Sequence, residues 1–413
     1  MSDVRERCGV ELDPVLDWVI AKGVEGIEER DLVDGFARRC RETGLPFHRI
    51  IIFADMLDPT FEGRAVQWRD DGEAPQIREY TSTAEGEAAE AWQRTPFFAL
   101  SQSNDVEFRV RIGLGERTGA HMIEDFAREG ATDYIAFMHR IGENAIIGEM
   151  DAVYSHYTTR QAGGFTDAQL ARLRQLVKAL SLAFKSLTIA RMTRTLAHVY
   201  LGHGAAETVL TGRILRGMAQ RIEAVLWFSD LRSYTAISDA AHPGQIIPLL
   251  NDYADAAMTA IDKAGGETMK LIGDGVLAVF RDGDTGTCAA RALAAERAFR
   301  TALADVSSRR RNEGLPVTDA YVALHCGEVF YGNIGAAHRL DFTVVGPAVN
   351  EVSRIATLCR SVDRTFLVSE AFHDALAYEE RSDLVSTGRF ALRGVGRAQH
   401  LFTVDPALRD PAG

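Results

Sequence analysis

Two aspartates in the C-terminal half of the chain stand where a carboxylate can leave a β-sheet and meet an ion. Asp230 comes near the end of a predicted strand, Ala224–Leu231, just before a loop. Asp274 lies between two glycines in a predicted tight turn that joins two strands. Mg²⁺ takes hard oxygen ligands, commonly one or two carboxylates plus substrate phosphates. The pair could therefore hold two ions about 3.5–4 Å apart, although a lone aspartate in a turn more often caps the backbone.

A second pair of residues could act on a phosphate and a ribose. Asn350 and Arg354 are four residues apart in a predicted helix, Pro347–Leu358, so their side chains share one face. An asparagine can orient a ribose, and an arginine can stabilise the charge that develops on a phosphorus centre. Taken alone, Arg354 has an ordinary explanation as a solvated surface charge.

Lys270 and Thr343 could read a purine. Lys270 precedes Asp274 by four residues, and Thr343 lies in a short apolar run before Gly346. A lysine donor and a threonine hydroxyl together can satisfy the donor and the acceptor on one edge of a purine ring. Without further context, the lysine would be a solvated strand residue and the threonine an ordinary β-former.

The order of these residues resembles the catalytic unit of the class III nucleotidyl cyclases. Four segments carry the resemblance: Phe228-Ser-Asp-Leu231, Lys270-Leu-Ile-Gly-Asp274, Phe342-Thr-Val-Val-Gly346 and Asn350-Glu-Val-Ser-Arg354. It covers roughly residues 220–405. The resemblance implies an α/β (α+β) fold with a ferredoxin-like β-α-β-β-α-β core, which agrees with the predicted order of strands and helices in this half.

The resemblance also implies an activity and a role for each residue. The activity is that of an adenylate cyclase, which converts ATP to 3′,5′-cyclic AMP and pyrophosphate with two Mg²⁺ or Mn²⁺ ions per active site. Threonine in place of the more frequent aspartate at the base-reading position resembles the subgroup called class IIIb. The implied roles are metal binding by Asp230, Asp274 and the backbone carbonyl of Leu231, adenine reading by Lys270 and Thr343, catalysis by Asn350 and Arg354, and triphosphate contact by Arg393 in Leu392-Arg-Gly-Val-Gly.

The family builds its active site between two subunits, one supplying the aspartates and the other the remaining groups. The catalytic unit is not repeated within this sequence, so we expect a homodimer with two shared sites. Guanine-reading members typically carry Glu and Cys where this chain has Lys270 and Thr343. A guanylate or pyrimidine nucleotide cyclase and a catalytically silent dimeric signalling module remain the alternatives.

Composition narrows the class of protein and its partners. A chain of 413 residues is too long for one hydrophobic core, so we expect two domains. The net charge of −12 argues against a nucleic-acid partner. The cysteines are widely spaced and form no CxxC pair, which is typical of a reducing compartment. We find no apolar run of about 18 residues and no apolar signal core at the N-terminus, so no membrane insertion and a cytoplasmic location are expected.

The N-terminal half resembles a GAF-like sensor domain. Helices are predicted over 13–43, followed by several strands and then by a long helix that starts at Gly163-Gly-Phe-Thr166. This order predicts a regulatory domain over 1–185 with an unknown ligand or partner, a helical connector over 186–218, the cyclase domain over 219–405 and a tail over 406–413.

Four local predictions are also open to a structural test. A strand is predicted over Ala145–Tyr154, after a hairpin turn at Gly142, and a helix over Ala206–Met218. His156 is expected at a strand end or in a loop, without a ligand role. Trp68 and Trp92 are expected in the core rather than in a ligand cage.

Overall fold

The computed structural model describes residues 13–81, 86–213, 215, 217, 219–336 and 338–405. The chain divides into two units between Leu196 and Ala197, inside the predicted connector. Residues 1–12 of the predicted sensor domain and the predicted tail 406–413 lie outside the described residues. No described helix has the length and apolarity needed to cross a membrane.

The first unit is built on a six-stranded antiparallel sheet in the order β3-β2-β1-β6-β5-β4. Short 3-10 helices occupy Ile112–Leu114 and Glu143–Ala145. The strands are β1 Phe47–Asp55, β2 Gly63–Arg69, β3 Gln76–Tyr80, β4 Glu107–Val110, β5 Asp133–Arg140 and β6 Ala152–Thr159; the helices are α1 Pro14–Glu25, α2 Glu29–Glu42, α3 Gly86–Gln93, α4 Pro96–Ser101, α5 His121–Arg128 and α6 Asp167–Leu201.

Both faces of this sheet are covered by a hydrophobic core. Successive side chains along each strand point to opposite faces, so one strand contributes to both cores. In β1, Ile50 and Ile52 join the core formed with α1, α2 and the first part of α6. On the opposite face, Phe53 packs against a second core that includes Phe97 and Tyr154. Thr166 caps the long helix α6 by accepting a hydrogen bond from the Gln169 amide at 3.2 Å.

The second unit contains an eight-stranded sheet in the order β13-β14-β12-β10-β7-β9-β8, with β11 also paired to β10. All its neighbouring strands are antiparallel except β10 and β12. The strands are β7 Ala219–Leu231, β8 Glu267–Ile272, β9 Gly275–Phe280, β10 Ala320–Ala336, β11 Arg339–Val345, β12 Phe366–Ser369, β13 Leu384–Phe390 and β14 Gln399–Val404; the helices are α7 His203–Leu210, α8 Tyr234–Ala240, α9 Pro243–Lys263, α10 Thr285–Asn312, α11 Pro347–Ser361, α12 Glu370–Ala375 and α13 Tyr378–Arg381.

The predicted ferredoxin-like core is confirmed in this unit. Strands β7, β8, β9 and β10 alternate with helices α9 and α10 along the chain, and in space they lie in the antiparallel order β10-β7-β9-β8. Helices α9 and α10 bury Tyr253 and Phe299 against one face of the sheet. Helix α11 buries Val352 and Ile355 against the other face. The mixed α/β fold class is therefore the one expected from the sequence.

Two predicted elements are wrong. The strand predicted over Ala145–Tyr154 is displaced, because β6 begins only at Ala152. Ile146 and Ile147 lie within the predicted strand but are 41% and 37% exposed. Their apolar side chains are therefore not buried, although the sequence pattern favoured a strand there. The helix predicted over Ala206–Met218 ends at Leu210, and Gly212 follows with φ +86°, a left-handed conformation that stops a helix.

The predictions for three aromatic side chains of the first unit have different outcomes. His156 lies inside β6 and is fully buried, not at a strand end or in a loop. Its position was missed because β6 carries polar residues that the fold nevertheless buries. Trp68 is 4% exposed and belongs to the core, as predicted. Trp92 packs against the second core of the unit but also borders a cavity.

Candidate active site

Asp230 and Asp274 come together because β7 and β9 are neighbours. Ser229 pairs with Val276 in this ladder, which brings the end of β7 beside the turn that joins β8 to β9. The carboxyl groups of Asp230 and Asp274 lie close enough to interact directly. Burial and the like charge of Asp274 raise the pKa of Asp230 to about 7, as expected when two carboxylates share a site.

Two glycines allow this approach. Gly273 has φ +66°, a left-handed conformation that an L side chain rarely adopts. A Cβ on Gly275 would lie 2.8 Å from the Ser229 carbonyl oxygen and 3.5 Å from Asp230 Oδ1. The turn must therefore carry a glycine at residue 275, because a side chain there would push β9 away from β7.

The two carboxyl groups fit a hard divalent cation. Paired carboxylates repel each other when both are ionised, and a bound cation removes that cost. No group of three or more His, Cys, Asp and Glu side chains suited to a metal occurs among the described residues. Two carboxylates completed by substrate oxygens are the ligand set in which Mg²⁺ is commonly held, so the donors present fit Mg²⁺ or Mn²⁺.

The loop after Asp230 is fixed by hydrogen bonds to the backbone amide and carbonyl of Arg232. The Leu231 backbone lies beside the Asp230 carboxyl group and partly offsets the rise in its pKa. The Arg232 amide donates to the Asp319 carbonyl at 2.7 Å, and Thr318 Oγ1 donates to the Arg232 carbonyl at 2.6 Å. Ser233 follows with φ 58° and is the N-cap residue of α8. The backbone around Leu231 is thus fixed next to the two aspartates.

Lys270 and Thr343 lie on neighbouring parts of the same sheet surface. The Lys270 ammonium group forms an ion pair with Asp341 on β11. Asp341 and Thr343 are two residues apart on that strand, so their side chains point to the same face. Thr343 is 4% exposed, and its Oγ1 has no hydrogen-bond partner among the described residues. A buried hydroxyl without a partner is costly, which marks it as a group that a ligand could satisfy.

Asn350 and Arg354 share one exposed face of α11, as predicted. Helix α11 starts directly after β11, with Gly346 at the junction. Gly346 has φ +150°, and a Cβ on this residue would lie 3.3 Å from the Glu328 carbonyl oxygen, so the junction favours a glycine. No hydrogen bond or ion pair of the described residues joins Asn350 or Arg354 to Asp230.

Arg393 is exposed in the loop between β13 and β14. Its neighbour Leu392 is buried, and the Val395 amide donates to the Leu392 carbonyl at 3.0 Å. This turn fixes the backbone at Arg393, but no contact of the described residues links its side chain to the other candidate residues.

Asp341 is the residue that the sequence reasoning missed. Its position two residues before Thr343 was the available signal, because alternate residues of a strand share a face. His325 is a buried residue of β10. It contacts Ser369 Oγ at 2.8 Å, and burial lowers its pKa to about 4.

Comparison with known proteins gives a family for the C-terminal part of the chain. Residues 218–404 match the family model of the adenylate and guanylate cyclase catalytic domain. An adenylate cyclase of Anabaena cylindrica is 36% identical over 155 residues, which make up 38% of this chain and 31% of that protein. The chain thus spans about a third of the length of this relative.

Solved structures of both cyclase types are similar to this chain. The adenylyl cyclase CyaB from P. aeruginosa is 24% identical with a TM-score of 0.42, over 47% of this chain and 99% of that one. The guanylyl cyclase Cya2 is 26% identical with a TM-score of 0.40, over 45% of this chain and 93% of that one.

Proposed function

The C-terminal domain is a class III nucleotidyl cyclase domain, and from that premise we propose that the protein is an adenylate cyclase. The proposed reaction converts ATP to 3′,5′-cyclic AMP and pyrophosphate. The observation that carries the proposal is the contact between the Asp230 and Asp274 carboxyl groups at the junction of β7 with the β8–β9 turn. Such a pair is costly unless a cation is to be held there.

Asp230, Asp274 and the Leu231 carbonyl would hold Mg²⁺ or Mn²⁺. When bound, these ions supply a Lewis acid that lowers the pKa of the ribose 3′-hydroxyl and offsets the triphosphate charge. The protein's part is to fix the two carboxyl groups through Gly273 and Gly275.

The choice of adenine is assigned to Lys270 and Thr343. The Lys270 ammonium group would donate to a ring nitrogen, and Thr343 Oγ1 would accept from the exocyclic amino group of adenine. The unpartnered Thr343 hydroxyl supports this role. Asp341 would act as a positioning residue that holds the Lys270 side chain beside β11.

Asn350 would orient the ribose, and Arg354 and Arg393 would contact the phosphates. In the reaction the 3′-oxygen forms a bond to the α-phosphorus. The bond from that phosphorus to the oxygen that bridges to the β-phosphate breaks, and pyrophosphate leaves with the electron pair. The proton of the 3′-hydroxyl passes to solvent. A fixed guanidinium group at Arg354 would stabilise the negative charge that builds up at the phosphorus centre.

A homodimer would bring the two groups of residues together. An apolar patch supports a second copy as the partner: Leu271, Ile272, Phe330, Leu340 and Val345 are each between 39% and 53% exposed. Phe330 pairs with Val345 across β10 and β11, and Leu271 directly follows Lys270. Exposed apolar side chains grouped beside polar functional groups are typical of an interface, and a two-fold axis would create two equal sites.

Kinetics with four nucleoside triphosphates test the substrate assignment. The wild-type protein should use ATP with a kcat/KM at least about tenfold above those for GTP, CTP and UTP, since a site that hydrogen-bonds its base rejects analogues strongly. Lys270→Glu combined with Thr343→Cys should lower kcat/KM for ATP, while Lys263→Glu, on the exposed end of α9, should leave it unchanged. A wild-type preference for GTP would refute the adenine assignment, and no turnover of any triphosphate would favour the silent module.

We also propose that the N-terminal unit is a GAF-like domain that regulates the cyclase. Two observations support a separately folded unit: its own six-stranded sheet and its own cores on both faces.

A further inference from the structure

A cavity of about 620 Å³ opens on one face of the sheet of the N-terminal unit. Its floor is formed by alternate residues of three adjacent strands, including Phe53 of β1, Gln67 of β2 and His156 of β6. Residues of α3 and α4 border the same space, among them Trp92 and Phe97. The volume is that of an ordinary small-molecule site.

Aromatic rings form much of the wall of this cavity. Phe53 lies 4.9 Å from both Phe97 and Tyr154, measured between ring centroids. Trp92 lies 5.8 Å from Tyr154 and 6.4 Å from Phe53, and Tyr80 lies 6.2 Å from Phe53. Several of these pairs are nearly perpendicular, so the rings turn different edges and faces to the cavity. The negative face of an aromatic ring attracts a cation within about 6 Å of the ring centroid.

Four carboxylates line the same cavity: Asp55, Glu62, Glu149 and Asp151. Two are held by wall residues, since Tyr80 Oη donates to Asp55 at 2.8 Å and Tyr154 Oη donates to Asp151 at 3.2 Å. No Lys or Arg occurs among the described residues that line the cavity. Burial, together with the negative charges nearby, raises the pKa of Asp55 to about 6. The lining therefore carries an excess of acidic side chains.

His156 provides an independent sign that the cavity is built for a ligand. It lines the cavity and is fully buried, and neither ring nitrogen has a hydrogen-bond partner among the described residues. Burial lowers its pKa to about 3, so the ring is neutral and one nitrogen can accept a hydrogen bond. Buried polar atoms in folded proteins are normally satisfied, so an unpartnered histidine in the wall distinguishes this cavity from ordinary core packing.

These features exclude two classes of occupant. An anionic ligand such as a nucleotide would meet four carboxylates and no basic side chain within the described lining. A bare metal ion would lack its ligands, because no three metal-binding side chains converge anywhere in the described ranges. An ammonium group on an apolar body matches both the carboxylates and the rings.

We propose that this cavity binds an organic cation, an amine or quaternary ammonium compound with an apolar or aromatic body. The charged group lies against the aromatic faces near Asp55 and Asp151, and the body fills the space between the sheet and α3. The proposal concerns the N-terminal unit alone and does not depend on the base or the metal of the cyclase.

Calorimetric titration of the full chain with three one-ring probes tests the sign of the charge. Benzyltrimethylammonium is the cation, benzyl alcohol the neutral control and benzenesulfonate the anion. We expect saturable binding of the cation, much weaker binding of benzyl alcohol and none of benzenesulfonate. No saturable binding of the cation at millimolar concentration, or equal binding of the cation and the anion, would overturn the proposal.

Variants locate the binding in the cavity. Trp92→Ala and Asp55→Asn should each weaken binding of benzyltrimethylammonium by about fivefold or more, as expected for the loss of a desolvated cation–π or charge contact. Asp55→Asn is isosteric and can still accept the Tyr80 hydrogen bond, so it should fold even if Trp92→Ala does not. Glu79→Gln is the matched control, because Glu79 is exposed and precedes Tyr80 on β3 without lining the cavity. Unchanged affinity in Asp55→Asn, or an equal loss in Glu79→Gln, would contradict the assignment.

Discussion

Mixing two inactive variants tests whether the active site is shared between subunits. Asp230→Ala removes one of the paired carboxylates, and Arg354→Ala removes the cationic side chain on α11. Each variant should be nearly inactive as a homodimer, because each lesion is present in both sites. In a mixed dimer one site carries both lesions. The other takes its aspartates from one subunit and its arginine from the other, and is whole.

The size of the recovery follows from the geometry. Random pairing makes half of the dimers mixed, and each mixed dimer has one whole site of two, so about a quarter of wild-type activity should return. Lys270 and Asp274 must then serve opposite sites although they are four residues apart, which the β8–β9 hairpin allows because the strand and its turn can face different sides of an interface.

A second mixture is the matched control. Asp230 and Asp274 touch within one chain, so they must serve the same site. Asp230→Ala mixed with Asp274→Ala should therefore recover no activity, because every site of every dimer lacks one aspartate. Activity is measured as cyclic product after subunit exchange has been shown with an affinity tag. The shared-site account fails if the first mixture stays inactive after exchange, or if the control mixture recovers as well as the first.

Four further predictions follow from the same structure. Asp274→Ala should lower kcat by about two orders of magnitude or more without loss of fold, and near-normal turnover in saturating Mn²⁺ would contradict the two-carboxylate assignment. Asp341→Asn should raise KM for ATP by up to about fivefold with kcat little changed, since it loses only a partly exposed ion pair to Lys270; an unchanged KM would remove its positioning role. The fragment 195–413, which lacks the predicted regulatory domain, should differ in specific activity from the full chain when both proteins are dimeric, whereas equal rates would argue against regulation. Asp55→Asn should stabilise the ligand-free protein by up to roughly 3 kcal/mol at pH 8 and not at pH 4. The pKa of Asp55 is about 6 in the folded protein and 3.8 ordinarily, so the ionised carboxylate lowers the free energy of unfolding as the pH rises above these values. Denaturant unfolding of both proteins at the two pH values measures this difference, and equal effects at pH 4 and pH 8 would refute it.

The sequence predicted the cyclase core well because its local and long-range signals agree. Gly273 and Gly275 mark a turn in any context, and the apolar runs on either side read as strands. The resemblance added which strand lies beside which, information that periodicity does not contain. The contact between Asp230 and Asp274 depends on that pairing.

The missed features depend on tertiary context. Strand β6 buries Ser155, His156 and Thr158 between two covered faces, so a polar sequence there looked like the end of a strand. The ion pair of Lys270 with Asp341 joins residues 71 positions apart, and no local pattern marks it. The cavity of the N-terminal unit likewise arises from residues of several strands and helices whose proximity only the fold creates.

The most direct test of the central claim is to identify the products that the full chain makes from ATP. Purified protein with Mg²⁺ or Mn²⁺ should form 3′,5′-cyclic AMP and pyrophosphate in equal amounts, as measured by chromatography and mass spectrometry. 3′-Deoxy-ATP lacks the attacking hydroxyl and should give neither product. Pyrophosphate release from 3′-deoxy-ATP, or release from ATP without cyclic AMP, would contradict the claim that this chain cyclises its substrate.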